Sequence, residues 1–162
     1  MAVRHKLIER PRDEVWAVLA DGARYGDWVV GTERSAPDEG NWPEVGSSIA
    51  YRVRVGRWSA KGHTYVRRCE PPGILELEVD SGALGTARIV LDLREWGGDT
   101  LVLLDEHPLR GPGGLLHNSV VDALSQFRNR LMLSRLAKTV AARDERRGTR
   151  AGGSAARPRG AV

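Results

Sequence analysis

Alternating hydrophobic and polar residues predict a series of β-strands through the first two thirds of the chain. Apolar side chains recur at every second position in residues 47–55, 74–79 and 86–93, and mostly polar or charged residues occupy the positions between them. This alternation is typical of strands that bury one face and expose the other. We therefore predict strands at residues 2–9, 47–55, 58–69, 74–79, 86–93 and 100–108.

The connections between these strands predict an antiparallel sheet. From residue 47 onward each connection is short and most contain Gly or Pro, and no helical pattern intervenes. Two short helices are predicted after the first strand: Pro11 opens one, and the other covers about residues 23–28, which places Tyr25 and Trp28 near one another. The polar stretch 32–46, interrupted by Gly and Pro, predicts an irregular loop.

A long helix is predicted near the end of the chain, from residue 115 to about residue 142. This range contains neither Gly nor Pro. Its apolar residues form two neighbouring rows, Val120–Leu124–Phe127–Leu131 and Leu133–Leu136–Val140. So broad an apolar face needs a broad partner, which the strands supply. The predicted fold class is α+β, with one sheet of six to seven strands curled around the C-terminal helix.

Composition and charge indicate one domain followed by a basic tail. The chain has 162 residues, of which 41% are hydrophobic, which suits a single core. The net charge of +4 resides in residues 143–162, where six arginines face two acids, and the preceding 142 residues carry 19 charges of each sign. We predict a domain at 1–142 and a disordered tail at 143–162. The tail has charge for contacts with phosphates but no aromatic residue to stack on bases, so nucleic acid is not the expected partner.

Several classes of protein are disfavoured by what the sequence does not contain. A single cysteine, Cys69, excludes an internal disulfide framework. The four histidines have no short metal-ligand spacing, and no phosphate loop or dinucleotide fingerprint occurs, so no metal or cofactor is expected. No apolar segment approaches the length of a membrane span or a secretory signal. We expect a cytoplasmic protein. The sequence does not determine its oligomeric state.

Several short stretches, in this order, resemble the START-like (SRPBCC) superfamily, in particular its polyketide cyclase/dehydrase and lipid-transport branch. They are residues 15–21 (VWAVLAD), 28–31 (WVVG), 42–47 (WPEVGS), 69–72 (CEPP) and 128–129 (RN). The similarity covers roughly residues 1–142. It implies a helix-grip fold, in which a curved antiparallel sheet wraps the C-terminal helix and leaves a cavity between them. The superfamily includes carriers, sensors and cyclases, so the fold alone does not define a function.

Glu106 is the most informative polar residue on the predicted inner surface. If Val102 and Leu104 face the cavity, Glu106 faces it as well, and a buried carboxylate with no cation beside it is poised to exchange a proton. The strand is apolar on both sides, however, and the opposite phase would turn Asp105 and His107 inward. A structural role, in a salt bridge to a helix arginine such as Arg128, is an equal alternative.

The remaining candidate residues follow from the inner face and from the implied cavity. His117, at the start of the long helix, is a tentative second catalytic residue beside Glu106, although an exposed position is the simpler interpretation. The candidate ligand-binding residues are Trp28, Tyr51, Val53, Leu77, Leu91, Leu104, Leu124 and Asn129. For each of them, a structural role in the packing of the core is the alternative.

Three functions are consistent with these features. The first is binding of a hydrophobic or aromatic small molecule, lipid-like or polyketide-like, between sheet and helix without a covalent step. The second is a cyclase or dehydratase that uses Glu106 as its acid/base. The third is a regulatory or partner-binding module that uses the arginine-rich tail.

Overall fold

The structure, a computed structural model, describes residues 2–55, 57–82, 85–110 and 119–153. Its elements follow in the order β1 (Ala2–Ile8), α1 (Arg12–Leu19), a 3-10 helix (Gly22–Arg24), α2 (Tyr25–Trp28), β2 (Thr32–Pro37), β3 (Ser48–Val55), β4 (Trp58–Glu70), β5 (Ile74–Asp80), β6 (Thr86–Trp96), β7 (Asp99–Arg110) and α3 (Ser119–Gly153). The predicted α+β class is confirmed.

The seven strands form one antiparallel sheet in the order β1-β7-β6-β5-β4-β3-β2. Strands adjacent in sequence pair directly from β2 to β7, as expected where short connections join them. β1 pairs with the last strand, β7, so that the first and last strands meet. The long helix α3 packs against β1, β7 and both short helices.

The core lies between the inner face of the sheet and α3. Strand residues such as Ile49, Leu75 and Leu93 are at most 1% exposed. The helix contributes Met132, Leu133, Leu136 and Val140, which recur at helical spacing and are at most 2% exposed. This confirms the second predicted apolar row, whereas Leu131 of the first row is only half-buried. The side chains at 120, 124 and 127 lie outside those that the structure describes.

Strand β7 takes the phase that brings Glu106 inward. Val102 and Leu104 are fully buried on the same face, and Glu106 is 6% exposed. The outward residues Leu101 and Leu103 are half-buried and pair with Leu7 and His5 of the edge strand β1. The outer face of β7 is thus partly covered, which is consistent with the apolar residues on both faces of this strand.

The prediction of an irregular loop at residues 32–46 is wrong for its first part. Residues Thr32–Pro37 form the edge strand β2, paired antiparallel with β3. An edge strand is held by backbone hydrogen bonds on one side only, and it tolerates polar residues and a terminal proline. For that reason the stretch lacks the alternation that reveals the other strands.

The long helix extends further than its apolar pattern predicts. It continues to Gly153, so residues 143–153 of the predicted disordered tail are helical. A single glycine, such as Gly148, weakens a helix by about 1 kcal/mol without ending it. Arg143 also donates from Nη1 to the Ala17 carbonyl at 2.6 Å, which ties this part of the helix to α1. Residues 154–162 lie outside the described part of the chain.

Candidate functional site

A cavity lies between the inner face of the sheet, the short helix α2 and the long helix α3. It encloses about 60 Å³, and the empty space around it, including its solvent-open side, is about 470 Å³. The described residues that line it are mostly apolar or aromatic: Tyr25, Trp28, Val29, Val30, Tyr51, Val53, Leu77, Val79, Ser81, Ile89, Arg128 and Met132.

Three aromatic side chains form one wall of the cavity. Asp21 caps the 3-10 helix by accepting a hydrogen bond from the Ala23 amide, and α2 follows immediately, carrying Tyr25 and Trp28. The ring centroids of Tyr25 and Trp28 lie 5.6 Å apart in an edge-to-face arrangement, and Tyr25 stacks on Tyr51 at 6.1 Å. These separations are typical of favourable aromatic pairs.

Gly62 makes room for the Tyr51 ring. The two residues are directly opposite each other in the β3–β4 pairing, and a Cβ at position 62 would stand only 2.5 Å from the Tyr51 hydroxyl oxygen. Any other residue at position 62 would displace the ring or the strand. The absence of a side chain there therefore allows Tyr51 to lie across its neighbouring strand and reach Ser81.

Both buried phenols keep their protons at neutral pH. The Tyr25 hydroxyl lies 2.6 Å from the Thr64 hydroxyl, and the Tyr51 hydroxyl lies 2.7 Å from that of Ser81. Burial raises the pKa of both tyrosines, and these two hydrogen bonds offset part of that rise. The phenols are thus polar but uncharged parts of the cavity wall.

The carboxylate of Glu106 is held by two side chains of α3. Its Oε1 accepts a hydrogen bond from Arg128 Nη2, and its Oε2 accepts one from Asn129 Nδ2 at 2.7 Å. Arg128 and Asn129 are consecutive on the helix, so one short segment meets both oxygens. Of the two roles considered for Glu106, the salt bridge to Arg128 is the one present. A role in proton transfer would require one of these contacts to break.

The two charges of this ion pair occupy different surroundings. The Glu106 side chain is 7% exposed, whereas the Arg128 side chain is 42% exposed. Arg128 lines the cavity, and Glu106 is not among the lining residues. Of the two charges, only that of Arg128 therefore belongs to the described lining of the cavity.

Some buried polar atoms near the cavity have no hydrogen-bond partner within the described part of the chain. Two are donors, Trp28 Nε1 and Arg128 Nε, and one is an acceptor, Asn129 Oδ1. An unsatisfied buried polar group costs about 1–3 kcal/mol. Such groups are most readily explained where a bound molecule or water supplies the missing partner.

The described residues do not assemble a metal site: no group of three or more His, Cys, Asp or Glu side chains is placed to hold an ion. Within the same residues, no helix is long and apolar enough to cross a membrane.

Comparisons with known proteins identify the fold. No protein-family model matches the chain, and no curated protein matches its sequence. Among solved structures, Ara h 8.0201 superimposes with a TM-score of 0.70 at 10% identity, over 86% of this chain and 96% of that one. TTHA0849 from Thermus thermophilus gives 0.65 at 16% identity, over 87% and 97%. The chain has the START-like helix-grip fold.

A third helix-grip structure, DynU16 from the dynemicin biosynthetic locus, matches with a TM-score of 0.63 at 19% identity. It is longer: the match covers 86% of this chain but 46% of DynU16. Identities this low establish a common fold, and they carry no ligand or activity from one protein to another.

The cavity between the sheet, α2 and α3 brings together half of the predicted ligand-binding residues. Trp28, Tyr51, Val53 and Leu77 line it. Leu91 and Leu104 are fully buried in the core and are not among the lining residues. Asn129 lies beside Glu106 instead. Leu124 and the tentative catalytic residue His117 lie outside the described side chains.

Several residues that line the cavity are not predicted from the sequence as ligand-binding residues: Tyr25, Ser81, Met132 and Arg128. Arg128 is considered only as a partner of Glu106. The predicted proximity of Tyr25 to Trp28 is the available signal for Tyr25. Ser81 lies just after β5, where no periodic pattern assigns a side chain to either face.

Proposed function

We propose that this protein binds an apolar or aromatic small molecule in the cavity between sheet and α3, without a covalent step. The observation that carries this proposal is the character of the lining: aromatic rings and aliphatic side chains surround open space where a tightly packed core would have none. Large, mostly apolar pockets with a few polar groups are the usual form of a ligand site.

The volume constrains the ligand. One water molecule requires about 10–15 Å³ of such space, so the enclosed 60 Å³ exceeds a single buried water. It is smaller than the roughly 300–1,000 Å³ of typical ligand pockets. A ligand would place one ring or a short aliphatic segment inside and extend through the open side, past the half-exposed Arg128.

Filling the cavity should abolish binding of a neutral aromatic probe. Val53 lines the cavity, so Val53→Phe places a ring in the space that the ligand would use. We expect at least about a tenfold loss of affinity for N-phenyl-1-naphthylamine, whose fluorescence increases in apolar surroundings, since displacing a buried ring from a pocket costs more than about 1.4 kcal/mol.

Val90→Phe is the matched control for that experiment. Val90 lies on the opposite face of the sheet, half-buried on β6, and is not part of the cavity. The same side chain is enlarged in both variants, so a general effect of the substitution would appear in both. Equal affinities of wild type, Val53→Phe and Val90→Phe would contradict the proposed function, as would the absence of probe binding by the wild type.

A further inference from the structure

We propose that the ligand of this cavity is an acid, an apolar or aromatic molecule with a carboxylate or a similar anionic oxygen that Arg128 binds. This inference rests on the proposed function and specifies its substrate class. Among the described residues that line the cavity, Arg128 is the one with a charged side chain. Its counter-ion, Glu106, has a side chain that is 7% exposed and is not among the lining residues.

The ion pair leaves most of the guanidinium free to bind a second partner. A guanidinium has five N–H donors in a planar fork. Glu106 accepts from Nη2, and Arg128 Nε is buried with no partner among the described residues. Glu106 thus fixes the position of the group, and because the side chain is still 42% exposed, its accessible N–H donors can receive an oxygen of a ligand.

The other polar atoms of the lining also favour an acceptor on the ligand. Trp28 Nε1 is a donor without a partner in the part of the chain that the structure describes, and Trp28 is 2% exposed. The hydroxyls of Tyr51 and Ser81 already bond to each other. An oxygen that reaches this donor would satisfy it, whereas a pure hydrocarbon would leave it unsatisfied.

The sign of the charge selects an anion over a cation. The described lining contains no carboxylate, so a cationic ligand would meet the charge of Arg128 and no acid of the cavity wall. An anionic oxygen beside a guanidinium gains the attraction between two opposite charges in addition to the hydrogen bond, whereas a neutral oxygen gains the hydrogen bond alone. An acid therefore gains more from this wall than a neutral molecule of the same shape.

The test compares two probes of nearly the same shape, 2-naphthoate and 2-naphthamide, by titration at pH 7. For the wild type we expect naphthoate to bind at least about tenfold more tightly than the amide. In the double variant Arg128→Gln/Glu106→Gln, which removes both charges and leaves no carboxylate unpaired, the affinity ratio should fall to about one. Thermal unfolding of each variant establishes that it is folded.

Arg135→Gln controls for a general loss of positive charge. Arg135 is exposed on the same helix and is not part of the cavity, so the ratio should stay at its wild-type value. Equal affinities of the two probes for the wild type, or a preference for naphthoate that persists in the double variant, would overturn the inference. Binding of neutral N-phenyl-1-naphthylamine distinguishes the cases: if that probe binds, only the preference for acids is wrong, and if it does not, the proposed function is wrong.

Discussion

Arg128→Met should lower the free energy of unfolding by about 2 kcal/mol, between the effect of an exposed ion pair and that of a fully buried one, because only the Glu106 side of this pair is buried. The reason is that Glu106, whose side chain is 7% exposed, would lose its cation and retain only the amide of Asn129. Urea unfolding followed by tryptophan fluorescence measures this loss.

Glu106→Gln is the matched control, and the two effects should be unequal. Glutamine keeps an oxygen for Arg128, and Arg128 itself is 42% exposed, so its charge remains partly hydrated after the carboxylate is removed. We expect a loss of about 1 kcal/mol. Equal losses of unfolding free energy in the two variants would contradict this explanation, in which the stabilisation depends on the burial of the Glu106 carboxylate.

Leu75→Ala and Leu77→Ala should distinguish a position in the core from a position in the cavity wall. Both leucines lie on the inner face of β5 and are at most 1% exposed, but only Leu77 lines the cavity. We expect Leu75→Ala to lower the free energy of unfolding by about 2–5 kcal/mol and to leave probe affinity unchanged. Leu77→Ala should also lower the free energy of unfolding, and because Leu77 lines the cavity, it should in addition change the affinity for N-phenyl-1-naphthylamine.

Unfolding in urea and titration of the probe give the two readouts for each leucine variant. Probe affinities that change equally in both variants would contradict the assignment of Leu75 to the core and Leu77 to the cavity wall. The comparison is strict because the two positions share strand, face, residue type and degree of burial.

The sequence predicts most of the fold because burial and periodicity are linked. Alternation identifies the strands that bury one face, and helical spacing identifies Leu133, Leu136 and Val140. The pattern fails where burial does not determine the structure. β2 is an edge strand held by its backbone pairing, and the last turns of α3 are helical without an apolar face to reveal them.

The site is less predictable than the fold for a physical reason. An inward-facing leucine has the same sequence pattern whether it is packed in the core, as Leu91 is, or borders a gap, as Leu77 does. The distance between sheet and helix decides which occurs, and that distance depends on the packing of many side chains. The pairing of Glu106 with Arg128 was foreseeable because a buried carboxylate needs a cation.

The aromatic wall shows a second limit. Tyr51 reaches Ser81 because Gly62 is opposite it across the strand pair. Neither residue alone indicates this contact, and the register that joins them emerges only when the sheet is assembled. Similarly, the position of Arg128 beside both Glu106 and the cavity depends on where α3 lies along the sheet, which no pattern within the helix specifies.

Entry of a small molecule into this cavity can be observed directly at Met132. The sequence contains two methionines, Met1 and Met132, and Met132 lines the cavity. Labelling the methionine methyl groups with carbon-13 therefore gives at most two signals, and Met132→Leu identifies which one belongs to the cavity. We expect 2-naphthamide to shift the Met132 signal saturably, through the ring current of the bound aromatic molecule. A Met132 signal that stays in place while the probe is titrated to its solubility limit would contradict the proposed function.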